Sequence, residues 1–171
     1  GPSETLVRTG QQVSGEELAG LVDCVWVEAE GGRHTSTLLV LEENGRLVAY
    51  DPAWRGEESS PLLSLVELSS SPPGTPVAIG TYKGQFYILD GTADGLGQIW
   101  RYKPQGDAYP GQPERYFPAD PPEALGEAVD MGIDGHIYVL FQDGRVAKFL
   151  GGEEQPFNLD SIPGSLVQAA G

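Results

Sequence analysis

The sequence contains little of two residue types on which many catalytic and metal sites depend. Its 171 residues include one cysteine, Cys24, and two histidines, His34 and His136. One cysteine excludes an intrachain disulfide, and because Cys24 lies in an apolar run we expect it to be a small buried hydrophobic side chain. The histidines fall at or beside expected hairpin turns, so we expect surface positions rather than a metal site or a catalytic triad.

Basic residues are also scarce, with 10 lysines and arginines against 25 acidic residues and a formal net charge of −15. A field of this sign repels nucleic-acid phosphates and anionic membranes, so neither is an expected partner. The acidity is typical of a soluble protein, or of one that attracts a basic partner or a cation. No apolar run approaches the roughly 18 residues of a membrane span, and no signal peptide is visible. Residues 1–3 look like a tag-cleavage scar, so this observation does not indicate a compartment.

Glycine and proline divide the chain into short elements. With 24 glycines and 14 prolines, long helices are not expected. Three units repeat instead, each with a small apolar strand, a stronger apolar strand and a third strand that ends on an aromatic residue. The first strands are 22–26, 77–80 and 129–132, the second are 37–41, 86–89 and 137–140, and the third are 46–50, 98–102 and 145–149. A looser fourth element follows near 62–65, 114–117 and 155–159.

Turn residues separate these strands. Lys83-Gly84 and Asp134-Gly135 join first to second strands, whereas Asn44-Gly45 and Asp143-Gly144 join second to third strands. Asn-Gly and Asp-Gly favour the tight hairpin turn in which both central residues have positive φ. Four antiparallel strands in roughly 40–50 residues is the pattern of a β-propeller blade.

We therefore predict an all-β chain, a β-propeller fragment of about three four-stranded antiparallel blades that occupies residues 4–171. The blades are expected at 21–68, 76–118 and 126–160, with partial-blade strands at 5–13 and 165–170. A β-sandwich is the alternative fold, but the repeat is too regular for it. Three blades do not close a ring, so the chain corresponds to half of a six-bladed propeller. Open end faces drive association, and we expect two copies to self-associate into a closed ring.

Three runs of sequence carry a family resemblance: residues 91–102 with their QIWRY strand, residues 128–140 (AVDMGIDGHIYVL) and residues 148–153 (KFLGGE). They resemble the C-terminal β-propeller domain of large membrane-anchored bacterial proteins, some of which carry a protein phosphatase-like domain across the membrane. More distantly, the pattern is similar to six-bladed NHL and TolB-like propellers. The resemblance implies an extracytoplasmic binding or sensing module and brings no catalytic residues. The chain is shorter than such a ring requires.

Few residues are candidates for a functional site. The first strands of propeller blades line the central channel, where Asp23 and Asp130 occupy equivalent places and Ala78 takes that place in the second unit. These acids would bind a cation or a basic ligand, or else accept hydrogen bonds from backbone amides. Trp54 lies in a loop and is a candidate partner contact, with packing between blades as the alternative. We predict no catalytic residue, no cofactor and no metal site.

Three functions fit this sequence. The one we favour is a non-enzymatic interaction or ligand-sensing domain that does not itself insert into a membrane. The second is a metal-dependent hydrolase or lactonase, which needs several converging ligands, whereas the units offer only Asp23 and Asp130 at equivalent places. The third is a half-propeller whose role in self-assembly is purely structural. The fold alone does not decide among these functions.

Overall fold

The computed structural model describes residues 3–56 and 61–156, which form an all-β, three-bladed β-propeller fragment. A small hairpin, β1 (Gln12–Val13) and β2 (Glu16–Glu17), precedes the blades. The first blade is β3 (Leu21–Val27), β4 (Thr37–Glu42), β5 (Leu47–Tyr50) and β6 (Leu63–Leu65). The second is β7 (Pro76–Tyr82), β8 (Gln85–Asp90), β9 (Gln98–Tyr102) and β10 (Glu114–Arg115). The third is β11 (Ala128–Ile133), β12 (Ile137–Phe141), β13 (Val146–Leu150) and β14 (Glu153–Gln155).

Every blade is an antiparallel meander in which each strand pairs with its neighbour in sequence. The predicted strands and their order are thus confirmed, and over the described residues the three blades do not close into a ring. The second strands β4 and β8 are almost wholly buried, because their blades are covered on both sides. Strand β12 alternates between buried and exposed side chains, because only one side of the third blade is covered. No helix in the described part of the chain is long and apolar enough to cross a membrane.

Each first strand carries one extra residue opposite its partner strand. The register shifts at Val22, Val77 and Val129, so that two residues of the first strand face one residue of the second. Directly after the shift, Asp23, Ala78 and Asp130 pair with a leucine of the second strand. The predicted equivalence of Asp23, Ala78 and Asp130 is therefore confirmed by the strand register.

Apolar layers between successive blades form the core. Between the first and second blades, Leu39, Leu41 and Leu47 pack with Ile79 and Phe86. The Phe86 ring stacks on Tyr102 and meets Tyr109 edge-on, with both ring centroids 4.6 Å away. A similar layer joins the second and third blades. It includes Tyr87, Leu89, Ile99, Ile137, Val139, Ala147 and Phe149.

The turns lie at the predicted places, but most are of another type. Only Lys83-Gly84 has positive φ at both residues, 51° and 78°. At Asn44-Gly45 and Asp143-Gly144 only the glycine has positive φ, 86° in both cases. Each glycine ends a three-residue loop, since Glu42 and Phe141 donate their N–H groups to the carbonyls of the arginines that follow, Arg46 and Arg145. The asparagine and aspartate side chains support these loops by accepting the arginine N–H groups, at 3.0 Å each.

The N-terminal residues differ from the prediction. Residues 6–9, within the partial-blade strand expected at 5–13, lie in no strand, and only Gln12–Val13 pairs, with Glu16–Glu17. Ser14 and Gly15, both with positive φ, turn the chain back on itself and so produce a local hairpin instead. Residues 157–159 of the expected fourth element and the partial strand at 165–170 lie outside the described residues.

Asp90 is fully buried at the end of β8 and holds the entry to its own blade in place. Its Oδ1 accepts the backbone N–H groups of Thr75, Thr92 and Ala93 at 2.9–3.1 Å. Its Oδ2 accepts the N–H of Gly74 at 3.0 Å and the indole N–H of Trp100 at 3.2 Å. A buried carboxylate is stable when hydrogen-bond donors surround it in this way.

We predict that Asp90→Asn lowers the free energy of unfolding by about 2–4 kcal/mol. The amide removes the charge and presents its own donors to buried N–H groups. Denaturant-induced unfolding followed by fluorescence measures the change. Asp143→Asn is the matched control, because the exposed Asp143 caps a turn in a way that asparagine can reproduce, and it should change stability by less than about 0.5 kcal/mol. Equal effects of the two substitutions would contradict this account of Asp90.

Candidate docking face on the third blade

The third blade presents the same side chains to solvent that the other blades bury against a following blade. In the register, Leu41, Leu89 and Leu140 are equivalent, and so are Leu47, Ile99 and Val146. We call the solvent-facing side of the third blade the open face. It comprises Asp130, Tyr138, Leu140, Val146, Lys148 and Leu150.

The side chains of the open face are more exposed to solvent than the equivalent side chains of the first and second blades. Leu140 and Val146 are 36% and 42% exposed, whereas Leu41, Leu89, Leu47 and Ile99 are 0% exposed. Leu140 and Val146 are exposed because, within the described residues, no blade follows the third one. An apolar surface made of side chains that elsewhere form an interblade core is a candidate interaction site.

The open face contains a shallow depression with a polar rim. A hollow of about 240 Å³ is lined by Asp130, Met131, Gly132, Tyr138, Leu140 and Val146. At the rim, the Tyr138 hydroxyl donates to Asp134 Oδ2 at 3.3 Å. The backbone N–H of His136 also donates to Asp134, and this hydrogen bond is the main reason that the pKa of Asp134 is lowered. The rim therefore stays anionic at neutral pH, while the floor is apolar.

Of the two roles that the sequence left open for Asp23, the structure shows the second, in which the carboxylate accepts hydrogen bonds from backbone amides. Its Oδ1 accepts the N–H of Cys24 at 2.8 Å, and its Oδ2 accepts the N–H of Ile79, in the second blade, at 2.9 Å. One carboxylate thereby ties two successive first strands together. Both of its oxygens accept N–H groups, so Asp23 is not arranged to ligate a cation.

Asp130 repeats half of this arrangement. Its Oδ1 accepts the N–H of Met131 at 2.8 Å, as Asp23 does for Cys24. Within the described residues, the second oxygen of Asp130 has no hydrogen-bond partner and the side chain is exposed. The structure therefore places one predicted acid inside a blade junction and the other on the open face.

At the opposite end of the fragment, strand β3 is also uncovered on one side. Cys24 is exposed, and Trp26 is 43% exposed. Ile79 and Met131, which are equivalent to Cys24, are only 3% and 8% exposed because a preceding blade packs on them. The expectation that Cys24 is buried is thus wrong, since no blade precedes β3 in the described residues.

The N-terminal residues cover the outer part of the first blade and contact β3 at its first residue, Leu21. Val13 and Leu18 pack against Val40 and Val48, with Leu38, Leu63 and Leu65 around them. Arg46 fastens this cover, since its guanidinium contacts Glu16 at 2.7 Å and Glu42 at 2.9 Å. Cys24 and Trp26 stay exposed beside the covered area.

Trp54 lies in the loop between β5 and β6, and it belongs neither to β3 nor to the open face. It sits in a turn closed by its own N–H and the carbonyl of Asp51, at 3.2 Å, and its side chain is partly exposed. It belongs to none of the interblade apolar clusters among the described residues. Trp100, by contrast, packs between the first two blades as expected. Trp54 therefore remains a candidate partner contact and no more.

A cleft of about 160 Å³ between the first and second blades is lined in part by polar side chains that contact one another. Arg33 is buried and donates to the Thr35 carbonyl at 3.1 Å and to the Tyr109 hydroxyl at 3.0 Å. Asp107 Oδ1 accepts the N–H groups of His34 and Thr35 at 2.9 Å each. Burial alone would raise the pKa of Asp107, but these hydrogen bonds lower it on balance. The cluster braces a hairpin of the first blade against a loop of the second.

The histidines lie near turns, as expected, His34 exposed and His136 partly exposed. Over residues 3–56 and 61–156, no three His, Cys, Asp or Glu side chains are grouped so as to hold a metal ion. A scan against protein-family models, a search of curated proteins and a search of solved structures each found no match to this chain.

Sequence reasoning identified Asp23 and Asp130 and predicted open apolar end faces, but it did not name the side chains of the open face. The signal was available in principle, because Leu140 and Val146 stand at the repeat positions of Leu41 and Leu47. Aligned repeats alone, however, predict burial at all these positions. Exposure depends on whether a following blade is present, which the local pattern does not state.

We predict that Asp23→Ala lowers the free energy of unfolding by about 1–3 kcal/mol, because the buried Ile79 N–H loses its acceptor. Chemical denaturation measures the change. Asp143→Ala is the control, since Asp143 is exposed and its contacts are local: it accepts a turn N–H and lies 3.8 Å from the Arg145 guanidinium. An Asp23→Ala variant as stable as Asp143→Ala would show that the interblade hydrogen bond contributes nothing.

Proposed function

We propose that the chain is a non-enzymatic interaction or ligand-sensing domain of the β-propeller type, which pairs with a second copy to close a ring. The observation that carries this proposal is the open face. Side chains that are fully buried in two blade junctions are exposed in the third blade. Because the equivalent side chains form blade junctions elsewhere in the chain, we expect another blade to pack on the open face.

The two ends of the fragment, the exposed strand β3 and the open face of the third blade, correspond to the two sides of a blade junction. Inside the chain, the first strand of one blade packs on the face of the blade before it, as Ile79 packs with Leu39 and Leu41. The exposed strand β3 of a second copy is the same kind of element as β7. Head-to-tail contact of this kind, made twice, joins two copies in a closed ring.

The exposed apolar side chains are concentrated at these ends. Of the large hydrophobic residues that the structure shows exposed, only Trp54 and Leu96 lie elsewhere. The others are Val22, Trp26, Val129, Leu140, Val146 and Leu150. Scattered single residues need no explanation, whereas clusters at both ends favour association.

The family resemblance supports the sensing part of the proposal. It favours an extracytoplasmic domain of a bacterial membrane-anchored protein, in which a ring would present its channel and loops to a ligand. The hydrolase alternative has less support, because Asp23 uses both oxygens on backbone N–H groups.

The first experiment is the absolute mass in solution, by light scattering after gel filtration. We expect about twice the protomer mass of 18.2 kDa. A monomeric species over the whole measurable concentration range would contradict pairing.

We further predict that Leu140→Glu raises the dimer dissociation constant by about tenfold or more, because it places a charge in the apolar contact. Leu96→Glu is the matched control. Leu96 is exposed to a similar degree, 38%, but lies outside both ends. Both residues are exposed, so circular dichroism should show both variants folded. Equal masses for the two variants would exclude the open face as the contact.

A further inference from the structure

The cleft between the first and second blades is open because the first blade carries two small residues there. Ala49 and Ser64, which pair across β5 and β6, both line the cleft. In the register, Arg101 and Glu114 take these two places in the second blade, where the Arg101 Nε donates to Glu114 at 3.0 Å. An ion pair of two long side chains in the second blade thus corresponds to an open space of about 160 Å³ in the first.

A buried guanidinium at this cleft has one donor group without an acceptor. Arg33 Nε donates to the Thr35 carbonyl and Nη1 donates to the Tyr109 hydroxyl. Within the described residues, Nη2 makes only an ion pair with Asp107 Oδ1, at 3.8 Å, which is too long for a hydrogen bond. Arg33 lines the cleft, and Nη2 is not enclosed by protein. A ligand oxygen in the cleft would therefore complete the hydrogen bonds of this charge.

The cleft is also lined by two carboxylates, and both are more exposed than Arg33. Asp107 Oδ1 accepts two backbone N–H groups, and Asp51 Oδ1 accepts the N–H of Ala53 at 2.8 Å. Asp51 Oδ2 has no hydrogen bond in the described part of the chain. A cation that enters the cleft meets these acids, and the net charge of −15 favours its approach.

The rest of the lining limits the size of a ligand. Leu39, Ala49 and Val66 contribute apolar atoms, and Ser64 contributes a hydroxyl without a hydrogen bond among the described residues. A protein cavity of about 150 Å³ holds benzene, which has about six non-hydrogen atoms. The cleft, at about 160 Å³, therefore suits a ligand of about six to eight non-hydrogen atoms.

From these observations we infer that the cleft binds a small zwitterion, a free amino acid whose carboxylate accepts from Arg33 Nη2 and whose ammonium group contacts Asp51. Such a ligand supplies one charge of each sign, as the pair of Arg101 and Glu114 does at the equivalent place in the second blade. This inference rests on the ligand-sensing part of the proposed function. It does not depend on the pairing of two copies, because the cleft lies within one chain.

Isothermal titration calorimetry of the full chain tests the inference with alanine, β-alanine and γ-aminobutyrate, in which the two charges lie progressively further apart. Propionate and propylamine, which carry one charge each, are the matched ligands. We expect at least one zwitterion to bind with a dissociation constant of about 1 mM or tighter. Propionate and propylamine should bind about tenfold or more weakly, because each leaves one charged group of the cleft without a partner.

Two variants locate the ligand in the cleft. Ala49→Arg combined with Ser64→Glu introduces the ion pair of the second blade and fills the space, so binding should weaken about tenfold or more. Asp51→Asn removes the partner of the ammonium group while its side-chain oxygen still accepts the Ala53 N–H, and it should weaken binding to a similar degree. Asp143→Asn, at an exposed turn, is the matched control and should leave binding unchanged. Circular dichroism checks that each variant is folded, and Asp51→Asn decides the question if the double variant is not.

The possible outcomes separate this inference from the pairing of two copies. A folded chain that binds none of the three zwitterions overturns the inference, and so does binding that is unchanged in Asp51→Asn or in the folded double variant. Propionate that binds as tightly as the zwitterions overturns the assignment of the ligand class. A dimeric chain without binding overturns the ligand site and leaves pairing intact, whereas a monomeric chain that binds a zwitterion overturns pairing alone.

Discussion

The packing of each blade's first strand on the face of the preceding blade is the contact on which the rest of the structure depends. It buries the leucines of one blade against an isoleucine and aromatic rings of the next, and it hides the backbone N–H of Ile79, which Asp23 then satisfies. Where the contact is made, a second strand such as β8 is buried on both sides and its sequence is a continuous apolar run. Where it is not, the same type of sequence becomes a half-exposed strand, as in β12. The two ends of the fragment differ from its middle for this reason alone.

A second layer of organisation is polar and varies from blade to blade. The residue after the last leucine of the second strand is Glu42 in the first blade, Asp90 in the second and Phe141 in the third. Glu42 is buried and accepts the N–H of Ala19 and the guanidinium of Arg46, which links the N-terminal cover to the blade. In the third blade the equivalent Arg145 lies over the Phe141 ring, 4.3 Å from its centroid, and pairs with Glu123. A partly buried ion pair in one blade is thus replaced by a cation–π contact in another at the same place in the repeat.

The blades were predictable because their signals are local. Alternating apolar residues and glycine turns identify each strand within a few residues, and the repeat then sets the order of the strands. The failures have two causes: neighbours that are distant in sequence, and local loop geometry that a turn signature does not determine. Cys24 has the surroundings of a core residue in the sequence, yet it is exposed because burial at its position requires a preceding blade. The turn at Asn44-Gly45 has a hairpin signature, but the hydrogen bond from Glu42 to Arg46 selects a loop of three residues rather than two. Residues 6–9 are apolar enough for a strand, but the positive φ angles at Ser14 and Gly15 direct pairing to a local hairpin.

The two uncovered surfaces are different from one another, and this has a consequence for how subunits can add. When two molecules bind through the same self-complementary patch, no binding surface is left free. When two different surfaces bind, here the open face and the exposed side of β3, one of each remains free after every addition. Growth then stops only if the rotation per subunit brings the last end back to the first. The angle between successive blades, which the packed layers between them set, therefore decides between a closed particle and a polymer. A substitution that changes this angle in one layer, far from either end, would turn a ring former into a fibre former without altering a contact residue of either end.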